Sequence, residues 1–332
     1  MSESLTPGNL PRDLPEKTLP LDRPANWVTP PTLGEVIISE ATGNSYTMGS
    51  KIGEGHFGLV YNCVDVWNNN LAAKVMKPLA PYEKVKAATE AELHKLMELR
   101  HPNITYVFDA FEFRETFYII TELCFCPLNN LFGLDQYNGY AWLKPIARCL
   151  LQAVHYAHLH KYAHQDIHVG NVFAAFVRNE MNADDPGSLQ FKLGDLGVAK
   201  LFTEIDATNT RAQWMIPPEV MQPLEFGPMD HRIDIYHCGL LFLHLLHGSE
   251  LRFTPEEIKA GLPRDLALQL PPPYNFALEK ALRRHVQFRT ANAMELWRDL
   301  NSPETIQAPP EQLQLATTED TVQQRTETDQ QI

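Results

Sequence analysis

Short apolar runs broken by Gly and Asn turns open the central part of the chain, and long helical patterns close it. Val36-Ile-Ile-Ser39, Tyr46 to Ile52, Leu59 to Asp65 and Asn70 to Met76 are each expected to be a strand. The period then changes. From Lys84 to Leu99 the apolar residues Val85, Ala88, Leu93, Leu96, Met97 and Leu99 recur near helical spacing, with charge on the other face. Runs at Ile104 to Phe111 and Phe117 to Leu123 are expected to complete a small antiparallel sheet. Beyond Pro127 the pattern is helical over Lys144 to His160, Ile233 to His247 and Tyr274 to Arg284. The expected fold is α+β and bilobal: a small antiparallel β lobe with one helix, then a larger, mainly α-helical lobe.

The two ends differ from this core. Residues 1–31 carry Pro7, Pro11, Pro15, Pro20, Pro24, Pro30 and Pro31, which deny helix and sheet alike, so the segment is expected to be a disordered, extended arm acting as a spacer. Residues 303–332 are dominated by Gln, Thr and Glu without apolar period and are expected to be a disordered tail. The domain between them is expected over 32–302, its lobes meeting near residues 125 and 126.

Composition narrows the function. Of 332 residues, 44% are apolar, which suits a substantial core, and the net charge of −13 argues against non-specific binding to nucleic acid. Five cysteines, odd in number and mostly in apolar surroundings, suggest reduced thiols and a cytoplasmic location. Cys124-x-Cys126 lacks the second Cys or His pair that a zinc site needs. The apolar stretch Tyr236 to Leu246 is far shorter than the roughly 20 residues a bilayer requires, so no membrane span is expected.

Four segments carry candidate chemistry. In Ile52-Gly-Glu-Gly-His-Phe-Gly-Leu-Val60 the glycines Gly53, Gly55 and Gly58 lie between two expected strands, where backbone can bend closely over a polyphosphate. A plain glycine hairpin would read the same way. A dinucleotide-binding version would be followed by a helix, and here a strand follows. Lys74 sits in an apolar strand, Leu71-Ala-Ala-Lys-Val75, where an unpaired ammonium is costly. It needs an anion, and Glu92 on the next helix is preferred over Glu90. The remaining segments are His164-Gln-Asp-Ile-His-Val-Gly-Asn171 and Gly194-Asp-Leu-Gly197.

Taken in order, these segments resemble the eukaryotic-type protein kinase family, with its H-R-D-x-x-x-x-N catalytic loop and D-F-G metal loop. The resemblance implies ATP and Mg²⁺ as cofactors and a protein as acceptor. It also implies Asp166 as the base orienting the acceptor hydroxyl, Lys74 and Glu92 as the pair holding the phosphates, and Asn171 and Asp195 as magnesium ligands. Ile52, Gly53, Gly55, Gly58, Val60, Ala72, Thr121, Glu122, Cys124 and Phe173 would surround the nucleotide, with Thr121 as gatekeeper and Glu122 to Cys124 as hinge. Pro217-Pro-Glu219 is similar to the motif that closes the activation segment, and Arg289 is placed to pair with Glu219. Asp234 would anchor the catalytic loop, and Val107, Leu96, Leu196 and His164 would form the hydrophobic column of the active state.

Departures set the open questions. Gln165 replaces the arginine that grips a phosphorylated activation loop, so activity is expected without strict dependence on loop phosphorylation, although Thr203, Thr208 and Thr210 are present. His168 replaces a lysine, and Ala212 the threonine that bonds to it; His168 is expected to contact the transferring phosphate, with plain packing as the other reading. The expected reaction is γ-phosphate transfer to Ser or Thr of a protein. The H-x-D-x-H-x-x-N form also resembles aminoglycoside and choline phosphotransferases, which keeps a small-molecule acceptor open, and the same departures leave a pseudokinase open.

Overall fold

The computed structural model of the chain describes residues 30–55, 58–77, 81–177, 187–206 and 215–302. The arm up to Thr29, His56, Phe57, Thr208, Thr210, Ala212, the tail and the side chain of Leu96 lie outside the described residues.

Six strands make the first sheet: β1 Val36–Ile38, β2 Ser45–Glu54, β3 Gly58–Asp65, β4 Asn70–Met76, β5 Val107–Phe113 and β6 Thr116–Glu122. Their order is β1-β2-β3-β4-β6-β5, and every pairing is antiparallel. Strand alternation buries Tyr46, Met48, Tyr61, Cys63, Leu71, Ala73, Val75, Tyr118 and Ile120 on one face, where they form a core of their own. The opposite face sends Met76, Val107, Phe117 and Ile119 into the core shared with the second lobe.

α1, Tyr82–Glu98, lies beside this sheet, and Val85 and Leu93 pack on the shared core with Leu99 buried beyond its end, as the apolar spacing predicts. Thr89 and Glu92 are buried whereas Ala88 and Met97 are exposed. The face that carries Val85 and Leu93 also turns one carboxylate inward, toward a buried cation. The strand expected from Ile104 begins at Val107 instead. Ile104 forms an isolated parallel bridge to Leu193, and Asn103 bonds the same strand through its side chain to Phe191 O at 3.0 Å.

After β7, Cys126–Pro127, the chain becomes helical. α2 spans Gly139–Leu159, starting earlier than Lys144 because Asn138 caps it, accepting from the N–H groups of Tyr140 and Ala141, while Pro145 is tolerated inside it. A β-carbon on Gly139 would stand 1.9 Å from Leu245 O, so only glycine lets the start of α2 approach the end of the central helix this closely. Short strands β8 Tyr162–Ala163, β9 Val172–Val177, β10 Ser188–Leu193 and β11 Lys200–Leu201 frame the loops between the lobes. Helices α3 Pro218–Met221, α4 Pro223–Phe226, α5 Arg232–His247, α6 Pro255–Ala260, α7 Leu262–Leu268, α8 Tyr274–Ala281 and α9 Ala293–Asn301 complete the described residues. α5 is buried from Ile233 to Leu245 without a polar face, as befits the helix around which a lobe is built. Among the described residues no helix is long and apolar enough to cross a membrane.

Candidate active site

The cleft between the lobes is roofed by β3, β4 and β6. Val60 pairs with Lys74 and Ala72 with Thr121, so these residues share one face of the sheet and look into the cleft. Ile52 and Gly53 end β2, Gly55 follows, and Gly58 opens β3, where a β-carbon would meet Val75 O at 2.9 Å. Lys77 holds this loop from beneath, donating to Glu54 at 2.7 Å and to Gly55 O at 2.8 Å. Hydrogen bonds from Lys51 and Lys77 pull the Glu54 carboxyl down to about 2.

Lys74 Nζ donates to Glu92 Oε1 at 2.7 Å and to Asp195 Oδ1 at 2.9 Å. Glu90, the other candidate partner, is exposed. Burial pulls the Lys74 ammonium down, but the two carboxylates outweigh it and hold the group above the usual lysine range. Burial likewise pushes Asp195 up, and Lys74 more than reverses this, so Asp195 stays ionised. Asp195 occupies left-handed backbone at φ 56° and accepts from Gly197 N–H. That conformation, costing about 1–2 kcal/mol in a residue other than glycine, turns its carboxylate toward Lys74.

Below lies the catalytic loop. Asp234 at the start of α5 is fully buried and accepts from His164 N and Gln165 N at 2.8 and 2.7 Å, and it is bonded to His158 Nε2 at 2.8 Å. Burial raises its pKa, yet the His158 contact and the backbone donors bring it down to about 2. Gln165, buried at φ 66°, is thereby pinned in left-handed backbone next to Asp166. Asn171 Nδ2 donates to both the backbone O and the Oδ2 of Asp166, at 2.9 and 3.0 Å. Its amide hydrogens are spent on Asp166, which leaves Oδ1 as the atom for a cation. Burial raises Asp166 and its histidine neighbours, His168 first, more than reverse this, so its carboxyl lies below the usual range.

His168 Nδ1 accepts from Gly170 N–H at 3.1 Å, which puts the proton of a neutral ring on Nε2. Nε2 lies 3.7 Å from Asp166 Oδ2, an ion-pair separation too long for a hydrogen bond. His164 is buried, with Nε2 at 2.9 Å from Gly194 O, and Val107 and Leu196 are buried as well. Phe173 lies on β9 with its ring against Gly194, and Cys124 lies two residues beyond β6, its thiol pushed up to about 12 by burial and by Glu122. Glu219 and Arg289 form a fully buried two-pronged pair at 2.6 and 2.7 Å.

Sequence reasoning missed the Lys192–Glu122 ion pair and the hairpin that carries it. β9 and β10 pair from Val172↔Leu193 to Val177↔Ser188, and Lys192, opposite Phe173, donates to Glu122 Oε1 at 2.8 Å. The same oxygen accepts from Tyr106 N–H at 2.7 Å. The signal was the alternation Leu189, Phe191, Leu193 with Lys192 between, which reads as a strand with one buried cation.

Two oxygen donors, Asn171 Oδ1 and the Asp195 carboxylate, suit a hard divalent cation that completes its shell with water and phosphate oxygens. Among the described residues no cluster of three or more His, Cys, Asp or Glu could hold a metal by itself. This oxygen-only donor pair fits Mg²⁺.

Comparison with known proteins agrees with this geometry. The family model described as protein kinase domain matches residues 46–276. Cyclin-dependent kinase-like 1 of Caenorhabditis elegans is 28% identical over 213 residues, covering 63% of this chain and 56% of the relative. Serine/threonine-protein kinase PLK2 of Mus musculus is 25% identical over 225 residues, 66% of this chain and 31% of the relative. Serine/threonine-protein kinase TAO2 of Xenopus laevis is 24% identical over 247 residues, 73% of this chain and 23% of the relative. The chain thus spans about half or less of the length of these relatives. With the family model covering both lobes and the Lys74–Glu92–Asp195 constellation in the cleft, the chain belongs to the protein kinase domain family.

Proposed function

We propose that this chain is an active, ATP- and Mg²⁺-dependent protein kinase that phosphorylates Ser or Thr hydroxyls. The observation that carries the reading is the complete set of polar contacts around the cleft: Lys74 bridges Glu92 and Asp195, and Asn171 orients Asp166. In the reaction, the acceptor oxygen bonds to the γ-phosphorus as the bond from that phosphorus to the β–γ bridging oxygen breaks, and ADP leaves. Asp166, ionised and fixed by Asn171, orients the hydroxyl and takes its proton late in a loose transition state. Lys74 holds the α- and β-phosphates. Asn171 and Asp195 would hold Mg²⁺, which supplies neutralisation of phosphate charge. Serine/threonine specificity is supported by the names of PLK2 and TAO2. The absence of arginine between Asp166 and Asn171 argues against tyrosine.

Independence from loop phosphorylation is supported by how the base of the activation segment is held. β11 pairs with β8, Phe202 N–H donates to Lys161 O at 2.8 Å, the Phe202 ring stacks on His231, and Lys200 pairs with Asp206 at 2.9 Å. None of these four contacts runs through a Ser, Thr or Tyr hydroxyl.

The test is magnesium-dependent transfer of labelled phosphate to a panel of proteins, peptides and amino-alcohol small molecules, with Asp166→Ala and Lys74→Ala as controls. Transfer to Ser or Thr of a protein, lost in both variants, is expected. A wild type no faster than Asp166→Ala makes the chain a pseudokinase, and transfer to the small molecules alone assigns it to the other phosphotransferases. Phosphatase treatment of active protein should leave its rate unchanged.

A further inference from the structure

Lys74 meets Glu92 only while α1 lies where it does, and Glu92 is in the body of that helix. One bond there leaves the helix free to pivot about it. A second polar bond stands at the end of α1, where Tyr162 Oη donates to Glu98 Oε2 at 2.7 Å. The two residues belong to different lobes. Glu98 is the last residue of α1, and Tyr162 opens β8, two residues before His164 of the catalytic loop. Six residues separate Glu92 from Glu98, about 9 Å along the helix axis. α1 is therefore held at two separated points, by Lys74 of the sheet and by β8 of the second lobe, and an outward swing of its end lengthens the second bond.

The surroundings make this bond more than a surface contact. Tyr162 is buried, 8% exposed, and its acceptor is a carboxylate, which makes the bond about twice as strong as a neutral one. Burial and the bond to Glu98 push the Tyr162 hydroxyl up to about 12, so it keeps its proton and remains a donor at neutral pH. His94 Nδ1, at 3.7 Å from the same Glu98 oxygen, is too distant to compete as a donor. A phenylalanine at 162 would fill the same space; the hydroxyl adds the bond to α1.

The strand that carries Tyr162 also meets the activation segment. Tyr162 pairs with Leu201 of β11, and Phe202 N–H donates to Lys161 O. Lys95, one turn before Glu98, is near enough to Glu204 and Lys200 at the base of that segment for their charges to act on it. The last turn of α1 thus faces the place where the catalytic loop and the activation segment come together.

We propose that Tyr162 and Glu98 are positioning residues for phosphoryl transfer: their hydrogen bond clamps α1 to the second lobe where β8 and β11 pair and keeps Glu92 on Lys74 without a phosphate group, a role that rests on the phosphotransfer reading.

Tyr162→Phe and Glu98→Ala, alone and together in the full chain, test the clamp. Hydrogen exchange of the amides between Glu92 and Glu98 reads the hold on α1 and needs no turnover. Their protection should fall about tenfold in Tyr162→Phe, the factor set by losing a bond to a charged acceptor. kcat, measured at a temperature where circular dichroism shows each variant folded, should fall about tenfold in either single variant and no further in the double one, because both changes remove the same bond. KM for the acceptor should stay unchanged. Unaltered α1 exchange in Tyr162→Phe overturns the clamp whatever the activity. Wild-type kcat in the folded single variants, or losses that multiply to about a hundredfold in the double variant, overturns it as well. In a chain without turnover the positioning role falls with the phosphotransfer reading, while α1 exchange still decides whether the bond holds the helix.

Discussion

Replacing Asp234 by Asn keeps the shape of the buried side chain and removes its charge. One amide oxygen can still accept from His164 N–H, but the nitrogen then faces the N–H of Gln165, donor against donor. A buried N–H left without an acceptor costs about 1–3 kcal/mol, and the bonds that survive lose their charge assistance, so a loss of about 3 kcal/mol is expected. The carboxyl pKa of about 2 gives an independent figure. Against an ordinary Asp near 3.9 it corresponds to roughly 2–3 kcal/mol of stability at neutral pH. The sign follows from the depressed value: this stability is present above the ordinary aspartate pKa and lost as the pH falls from about 4 to about 2. Thermal unfolding at neutral pH should therefore drop by about 5 °C for a domain of this size, and the gap between variant and wild type should close below about pH 4. The severed bond belongs to Gln165, whose left-handed backbone costs about 1–2 kcal/mol to hold. Released, the loop relaxes and carries Asp166 with it. Turnover should fall about a hundredfold, which is about 2.7 kcal/mol in the barrier, with KM for ATP nearly unchanged. An Asp234→Asn protein that melts and turns over like wild type would refute the anchoring argument.

Three further outcomes follow from the same geometry. Lys192→Met removes one of the two groups on Glu122 and should raise KM for ATP about fivefold, a loss of about 1 kcal/mol, while leaving kcat unchanged; initial-rate kinetics decide this. Glu219→Gln strands the Arg289 guanidinium in a fully buried site and should cost about 3–5 kcal/mol, seen in urea as a lower midpoint at unchanged m. His168→Ala should lower turnover about tenfold more than it changes ATP affinity; an equal fall in both, or none, would make the ring a packing residue.

The sequence was most legible where one residue's chemistry contradicted its surroundings. Lys74 in an apolar strand required an anion, and Glu92 stands at 2.7 Å from it. Arg289 and Glu219, far apart in the chain, meet as foreseen because their motifs fixed their places. Pattern failed where tertiary contacts override period. In α1 the expected Val85, Leu93 and Leu99 meet the core, but Ala88 and Met97 are exposed and Thr89 and Glu92 are buried, since the helix faces an ion pair and not only a core. α2 extends across Pro145, a residue that usually marks a helix boundary, because its first turns are held by the Asn138 cap and by close contact with α5. Ile104 looked like strand and instead bridges to β10, a partner about ninety residues distant that no local period encodes.

That bridge bears on how the cleft moves. Asn103 and Ile104 tie the end of the α1 connection to β10 on one side, and Glu122 and Lys192 tie the hinge to the same strand on the other. Two tethers to one strand define an axis. A swing about that axis keeps both tethers and is resisted by the Lys74–Asp195 bond across the cleft. The hinge end of the cleft is thereby pinned twice to β10, while Lys74 and Asp195 join the lobes beside Gly58.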